Sequence, residues 1–319
     1  IQKNLTIDLT IVKFSKDVSK LQNQNKSYEL EIDYQLDKKD KNIFEKIINE
    51  SEKIKKVLLG SDIIINKTNE SEIIKDYKNL VYGSNNNNFN NIYSMQPVTA
   101  EIQHVVDYIP NKYSVSDKAD GEKYQLFISN DTCYLISNNM HVKKLNINVK
   151  GLNNTIVEGE YIYCHSNSKY IFIVFDCLFF KEKDIRNNVC LKDRLKYVNN
   201  LCNEISSNKS HIIKDYEGTY DFEKIKKYYQ SEIEKFYETI NNNLKKVKEN
   251  EIVIQPKLFL FPLGGNNSEV FLFADLIWTI CTKLNKIECP YNIDGIIFTG
   301  MEQKYSNNKR EHKLPTYKY

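Results

Sequence analysis

Lys118 opens a short motif, Lys118-Ala119-Asp120-Gly121, and a second lysine follows at Lys123. A lysine amine is a nucleophile only when it is neutral, and the ordinary pKa of a lysine is near 10.4. Nucleophilic chemistry therefore requires burial or neighbouring positive charge, and a pKa lowered by about three units corresponds to roughly 4 kcal/mol. A four-residue motif is a weak indicator by itself, because a surface turn in a chain rich in Lys and Asp can produce it by chance.

Four further segments carry carboxylates, an aromatic ring and another lysine. In chain order they are Val157-Glu158-Gly159-Glu160, Ile173-Val174-Phe175-Asp176, Asp294-Gly295-Ile296-Ile297-Phe298 and Leu314-Pro315-Thr316-Tyr317-Lys318-Tyr319. The first three read as strand segments, because each lies in or directly beside a run rich in apolar and β-branched residues, at 156–163, 170–175 and 293–299. The order of the five motifs is a stronger indicator than any one of them.

The elements that must position these motifs are mostly short strands from Val98 onward. We predict an α+β fold in which antiparallel sheets are flanked by helices. The predicted strands are 124–128, 133–136, 156–163, 170–175, 252–260 and 293–299. The predicted helices are 192–202, 222–247 and 269–284; in 222–247 apolar residues repeat every three or four positions.

Residues upstream of this domain predict a smaller unit. The first 35 residues contain two alternating segments, typical of strands, and residues 42–59 have apolar positions at helical spacing. An asparagine-rich stretch at 83–92 has little to bury and is predicted to be a linker. We therefore divide the chain into a unit at 1–82, a linker at 83–92 and a main domain at 93–319.

Composition excludes several classes of protein. The 45 Lys and Arg against 42 Asp and Glu leave a net charge of +3, so attraction to nucleic acid must come from local clustering. Seven cysteines without a CxxC pair predict neither a disulfide framework nor a zinc site, and favour a reducing compartment. The sequence has no run of about 18 apolar residues, so we expect no membrane span. Because it does not begin with Met, we expect it to be part of a longer protein.

The five ordered motifs resemble those of the covalent nucleotidyltransferase superfamily, which contains mRNA capping guanylyltransferases and ATP-dependent DNA and RNA ligases. The resemblance covers about residues 93–319 and is thin between Lys181 and Glu251, where only the helix around Arg194 matches. It implies a nucleotidyltransferase domain of the ATP-grasp-like type. In that superfamily a lysine attacks the α-phosphorus of a nucleoside triphosphate and becomes a lysyl-nucleotide.

The resemblance also assigns a role to each motif residue. It makes Lys118 the nucleophile and Asp294 the residue that positions the metal, Mg²⁺ or Mn²⁺, or the lysine. The other nucleotide contacts that it implies are Asp120 and Gly121 beside the lysine, Lys123 on ribose or phosphate, Glu160 on the ribose hydroxyls, Phe175 against the base, Lys257 at the base edge and Lys318 at the α-phosphate. The structural alternatives are a core aromatic for Phe175 and a strand-entry turn for Asp294-Gly295.

Three features depart from the superfamily pattern. Lys123 stands where an arginine is usual, which replaces a planar bidentate fork by a point charge. The second lysine of the last motif is expected two residues after Lys318, beyond Tyr319. The oligonucleotide-binding-fold domain that follows in the family is not part of this sequence.

The upstream unit favours capping over ligation. Glu29 and Glu31 lie on one face of a predicted strand, where alternate carboxylates can hold a hard cation. Residues 7–13 and 28–33 resemble the last strands of a triphosphate tunnel metalloenzyme, the RNA triphosphatase that precedes guanylyltransferase in capping enzymes of large DNA viruses. The second glutamate pair of such a site is not in this sequence, so we predict an incomplete metal site.

The resemblance therefore implies an mRNA guanylyltransferase, part of a multifunctional capping enzyme. It would transfer GMP from GTP to the 5′-diphosphate end of RNA, in the cytoplasm for a viral enzyme or the nucleus for a cellular one. The implied partners are GTP, the RNA 5′ end and a methyltransferase domain or subunit downstream, with no membrane. Two alternatives stay open: an ATP-dependent polynucleotide ligase that forms lysyl-AMP, and an RNA-binding module without catalysis.

Overall fold

The structure is a computed structural model, and it describes residues 5–23, 26–34, 42–59, 64–83, 89–206, 209–248, 251–283, 288–308 and 314–319. The chain divides into two compact units, Ile1–Ile64 and Ile65–Tyr319. This division lies one helix earlier than the linker predicted at 83–92, of which residues 84–88 lie outside the described part. Among the described residues, no helix is long and apolar enough to cross a membrane.

The first unit is a hairpin and a helix. Strand β1 (Leu5–Val12) pairs antiparallel with β2 (Ser27–Tyr34), a short 3₁₀ turn at Val18–Asn23 lies between them, and helix α1 (Ile43–Leu59) follows. Both strands and the helix fall where the alternating and helical patterns predict them.

The second unit contains the remaining elements. Its helices are α2 (Lys67–Tyr82), α3 (Ile102–Asp107), α4 (Ile109–Lys112), α5 (Leu191–Ile205), α6 (Phe222–Lys246) and α7 (Glu269–Thr282). Its strands are β3 (Val98–Thr99), β4 (Tyr113–Ala119), β5 (Glu122–Ser129), β6 (Thr132–Ser137), β7 (Val142–Asn148), β8 (Thr155–Cys164), β9 (Lys169–Phe180), β10 (Lys183–Asp184), β11 (Val253–Pro256), β12 (Ile293–Gly300) and β13 (Tyr317–Lys318).

These strands form two sheets. The seven-stranded sheet has the order β10-β9-β8-β5-β6-β7, with β11 added parallel to β9. The four-stranded sheet has the order β3-β13-β12-β4, and β13 runs parallel to β3. The predicted α+β class is present and the sheets are mainly antiparallel, but these two parallel pairings were not expected from sequence, because pairing direction depends on contacts far apart in the chain.

Helices cover both faces of the seven-stranded sheet. Helix α5 packs on one face, around Leu126, Val157 and Phe172. On the other face, α2 packs at one end around Phe127 and Ile156, whereas the cluster that contains Ile162 belongs with α6 and α7. Helix α2 therefore belongs to the second unit, because its buried side chains complete a core of that unit.

Strand β8 shows where the polar site must lie. Residues 156, 158, 160 and 162 point to one face because side chains alternate along a strand. Ile156 and Ile162 at the ends are buried in two different apolar clusters, whereas the middle positions are Glu158 and Glu160. The sheet therefore presents carboxylates between two cores.

One predicted strand is shorter than expected. The sequence predicts a strand over 252–260, but β11 ends at Pro256. Beyond Pro256 the chain leaves the sheet edge, and Leu260 makes an isolated antiparallel bridge to Val115. The last ladder bond runs from the Lys257 N–H to Val174 O at 2.8 Å, directly before the irregularity at Phe175 in β9. Helix α2 and strand β7 were not predicted from the sequence.

Candidate active site

Lys118 is the second-to-last residue of strand β4. Tyr113, Val115 and Ala119 face the apolar core, so Ser116 and Lys118 share the opposite face. Lys118 is partly exposed, with 26% of its side chain accessible, whereas Ser116 is buried. The nucleophile predicted from sequence thus lies at the open end of a strand whose other residues are held by packing.

Asp294 is brought to Lys118 by an irregularity in β12. The register between β12 and β4 shifts between Ile293 and Gly295, so Asp294 is an extra residue in the ladder. A bulge of this kind re-aims a side chain that regular alternation would send to the other face. The Lys118 ammonium donates to Asp294 Oδ1, and 52% of the Asp294 side chain is exposed.

Two glycines are required by close approach beside this ion pair. A Cβ added to Gly295 would lie 2.0 Å from the carbonyl oxygen of Tyr319, and one added to Gly121 would lie 2.6 Å from Ile162 Cγ1. Contacts under 3.0 Å force a shift of the neighbour, so both positions favour glycine. Asp120, beside Gly121, is an exposed turn residue between β4 and β5.

A pocket opens between the two sheets of the second unit. It contains four of the residues predicted from sequence, Lys123, Glu160, Phe175 and Lys257. Its other lining residues are Met95, Pro97, Ser116, Glu158, Asp176, Phe259, Ile297, Thr299 and Thr316. An apolar rim with a few convergent charges is typical of a small-molecule site.

Phe175 lies on the pocket because β9 contains a second irregularity. Gly159 pairs with Val174 and Glu158 pairs with Asp176, which leaves Phe175 as the extra residue in the ladder. Its ring is half-buried and lines the pocket, with Lys123 Nζ 5.9 Å from the ring centroid. The structure therefore favours the pocket position over the core-aromatic alternative.

Lys257 and Glu160 form an ion pair at the inner end of the pocket. Lys257 Nζ donates to Glu160 Oε2 at 3.0 Å, and only 3% of the Lys257 side chain is exposed. Burial alone would lower the pKa of Lys257, but Asp117, Glu160 and Asp294 reverse the direction and raise it. Lys257 is therefore held as a charged donor.

Lys318 reaches the same face through strand pairing. Ile297 of β12 pairs with Ser116 on one side and with Lys318 on the other. Residues that pair across antiparallel strands point to the same face, so Lys318 is on the face of Lys118. Its side chain is exposed, and it is not among the residues that line the pocket.

Comparison with known proteins now bears on this geometry. Residues 55–257 match the family described as mRNA capping enzyme, catalytic domain. The chain belongs to this family. It is also 35% identical over 311 residues to a probable mRNA-capping enzyme of Acanthamoeba polyphaga mimivirus. The aligned region covers 96% of this chain and 26% of that protein. The chain thus spans about a quarter of the length of this relative.

Solved structures of ligases are more distant. The ligase domain of Mycobacterium tuberculosis LigD has a TM-score of 0.39 and 11% identity, over 72% of this chain and 59% of that one. A mycobacterial DNA ligase D complexed with ATP and MES has a TM-score of 0.39 and 12% identity, over 72% of this chain and 60% of that one.

Sequence reasoning missed how this capping-family domain holds Lys123. Lys123 Nζ donates to Met95 O at 2.8 Å and Ser94 Oγ at 3.1 Å, and lies 3.8 Å from Glu158 Oε1. Glu158 is fully buried and accepts hydrogen bonds from Ser94 Oγ and the Tyr305 hydroxyl. Burial raises the pKa of Glu158, although Lys123, Ser94 and Tyr305 oppose that rise.

A second missed feature is the buried ion pair behind the pocket. Asp176 accepts from Arg194 Nε at 2.8 Å and from Arg194 Nη2 at 3.1 Å. Arg194 Nη1 also donates to the carbonyl oxygens of Asn188 and Gln303, at 2.7 Å each. The guanidinium thus joins α5 to β9 and to the segment after β12. The only sequence signal was Asp176 directly after Phe175.

The carboxylates of the first unit share one face, as their spacing predicts. Glu29 pairs with Thr10 and Glu31 pairs with Asp8, so these side chains point the same way. All four are exposed. Within the described residues, no group of three or more His, Cys, Asp or Glu side chains could hold a metal ion. The predicted triphosphatase-type site at Glu29 and Glu31 stays a prediction.

Proposed function

We propose that this chain is the guanylyltransferase part of an mRNA capping enzyme and carries GMP on Lys118. In the first half-reaction, Lys118 Nζ attacks the α-phosphorus of GTP, a P–N bond forms and pyrophosphate leaves. In the second, a terminal oxygen of the 5′-diphosphate of RNA attacks the same phosphorus and the P–N bond breaks. The amine then regains its proton. The proposal rests on Lys118, in contact with Asp294 and on the pocket face of its strand, in a chain of the capping family.

Lys118 must lose a proton before it attacks. Its ammonium donates directly to Asp294 Oδ1, so the proton has an acceptor in contact with it. The same contact fixes the amine at one place on the exposed end of β4. Asp294 therefore positions the nucleophile and passes its proton to solvent, to which 52% of the Asp294 side chain is exposed.

A divalent cation, Mg²⁺ or Mn²⁺, fits this arrangement as a ligand of the substrate. Such ions commonly use one or two carboxylates together with substrate phosphates. Asp294 is a half-exposed carboxylate next to the nucleophile, which suits that role. When bound, the cation neutralises charge on the phosphates and on the leaving pyrophosphate.

The pocket supplies the contacts for guanosine. The Phe175 ring offers a flat face for the base, and Lys257 offers a charged donor to the guanine edge. Glu160 accepts from the ribose hydroxyls through the oxygen that Lys257 does not occupy. Lys123 and Lys318 bring positive charge to phosphate or ribose. Asp120 and Gly121 form the turn that separates Lys118 from Lys123.

Labelling with α-labelled GTP or ATP tests this function. We expect an acid-labile adduct from GTP, its loss in Lys118→Ala, and its persistence in the control Lys227→Ala, which removes an exposed lysine of α6. Transfer to 5′-diphosphate RNA tests the second half-reaction. Label from ATP alone would contradict the capping function and support an ATP-dependent ligase. Absence of label from either nucleotide would favour an RNA-binding module without catalysis.

The first unit belongs to the same proposal. The first unit, residues 1–64, would end an RNA triphosphatase domain in which Glu29 and Glu31 are one of two glutamate pairs, and the second unit, 65–319, would contain the guanylyltransferase domain. This boundary follows the two compact units and lies before the linker that the sequence predicted at 83–92. A methyltransferase domain or subunit would act downstream on the capped RNA, in the cytoplasm or the nucleus. Release of γ-phosphate from triphosphate RNA by a longer chain, and its loss in Glu29→Gln, tests the triphosphatase part.

A further inference from the structure

Asp117 is a buried carboxylate directly before the nucleophile. Its side chain has no solvent exposure, and neither carboxylate oxygen has a hydrogen-bond partner within the described residues. The hydroxyls of Tyr237 and Tyr291 are buried nearby and are likewise without a partner there. Burial first, and then the charge of Asp117, raise the pKa of both phenols, which stay protonated.

A carboxylate at this depth is costly unless a charge compensates it. The compensating charge is Lys257, whose Nζ lies 3.9 Å from Asp117 Oδ2. At that distance the interaction is an ion pair rather than a hydrogen bond. Lys257 is thus shared between two carboxylates, because its Nζ is also 3.0 Å from Glu160 Oε2.

The three charged groups connect the core with the pocket through Lys257, which contacts both carboxylates. Asp117 does not line the pocket, Lys257 lies at its inner end, and Glu160 faces it with 19% of the side chain exposed. One lysine between two carboxylates leaves a net negative charge. Part of that charge is available at Glu160 for donors that enter the pocket.

We propose that Asp117 is a positioning residue, which draws the Lys257 ammonium toward the core and so keeps Glu160 a strong acceptor for the ribose hydroxyls. This inference rests on the proposed function in one respect, namely that Glu160 binds the ribose. Without the charge of Asp117, the Lys257 ammonium moves fully onto Glu160 and neutralises it. The protein then loses preference for a nucleotide with ribose hydroxyls, while Lys118 keeps its chemistry.

The test compares the KM for adduct formation with GTP and with 2′,3′-dideoxy-GTP, in the whole chain. The preference for GTP is the ratio of the KM for 2′,3′-dideoxy-GTP to the KM for GTP. The wild type should have the lower KM with GTP, and Glu160→Gln should make the two KM values equal. Asp117→Asn should lower the preference about tenfold, since a hydrogen bond to a charged acceptor is worth at least that factor. Its kcat should change less than its KM, and Asp117→Glu should restore the preference.

The matched control is Glu269→Gln. Glu269 is also fully buried, but it accepts from backbone N–H groups of residues 263–266, outside the pocket. Its loss should lower stability and leave the preference for GTP unchanged. If Asp117→Asn does not fold, Asp117→Leu removes the charge without leaving an unpaired polar group.

A folded, uncharged Asp117 variant with the wild-type preference overturns the positioning role. A variant with a smaller fraction of active protein but the wild-type KM values also overturns it, because only the stability of the protein has then changed. Failure of the proposed function is distinguished from these outcomes, because the wild type itself would then form no adduct from GTP.

Discussion

The two sheets of the second unit contribute to the site in different ways. The four-stranded sheet carries Lys118, Asp294 and Lys318, all at least partly exposed. The seven-stranded sheet and the segment after β11 carry Lys123, Glu160, Phe175 and Lys257, and three of these are tied to other groups by hydrogen bonds or ion pairs. The groups that are proposed to react are therefore lightly held, whereas the groups that are proposed to bind the nucleotide are part of the packed structure.

This difference has an energetic consequence. Substitutions on the reacting side should affect chemistry with little cost in stability, because few contacts are lost. Substitutions behind the recognition side should cost stability as well, because they leave buried partners unpaired.

The largest expected effect is on chemistry alone. Lys118→Ala should reduce adduct formation about 1,000-fold or more, since it removes the amine that is proposed to attack the α-phosphorus. Its melting temperature should stay close to that of the wild type, because the side chain is partly exposed and its one ion partner, Asp294, is half-exposed. Labelling and thermal unfolding check the two parts. A large drop in melting temperature would remove the contrast between the sheets.

The second effect is on stability. Arg194→Met leaves Asp176 as an unpaired buried charge, which should cost about 3–5 kcal/mol in the free energy of unfolding. Lys196→Met, which breaks the exposed pair with Asp193, should leave the free energy of unfolding nearly unchanged, because solvent screens that pair. Urea unfolding of both variants measures the difference. Equal costs would show that burial does not distinguish these pairs.

A smaller effect is expected at Phe175, the proposed contact for the guanine base. Phe175→Ala should raise the KM for GTP about tenfold, because stacking of a base on an aromatic ring contributes about 1–3 kcal/mol. Phe175→Tyr retains a flat ring and should stay within about twofold of the wild type. Steady-state labelling gives both values. An unchanged KM with a lowered melting temperature would indicate that Phe175 is a core residue and does not contact the base.

The smallest effect concerns the pH dependence of stability. Burial raises the folded-state pKa of Glu158 above its unfolded value, so the contribution of Glu158 to the free energy of unfolding is fully present below about pH 4.3. This contribution is lost as pH rises through the folded-state pKa. In Glu158→Gln this part of the pH dependence should disappear, and the variant should gain stability relative to the wild type as pH rises. Unfolding measured between acid and neutral pH checks the sign. A parallel pH dependence in both proteins would contradict it.

Local patterns in the sequence predicted many of the elements. Short strand-like runs predicted β5, β6, β8, β9 and β12, helical spacing predicted α1 and α6, and helices were also predicted at α5 and α7. The same patterns failed at β11, which ends at Pro256 instead of residue 260, and at α2, whose burial depends on the distant residues Phe127 and Ile156. Local periodicity indicates which face is apolar but not which element covers it.

The sequence by itself determined the chemistry that is available: a lysine beside an Asp-Gly turn, alternate carboxylates and an aromatic ring, in an order typical of one family. Only the tertiary structure decided which groups meet. Asp294 reaches Lys118 and Phe175 reaches the pocket through two irregular strand pairings. Asp117 reaches Lys257 across 140 residues of chain. Register and bulges are set by long-range pairing and packing, and a local pattern carries no record of them.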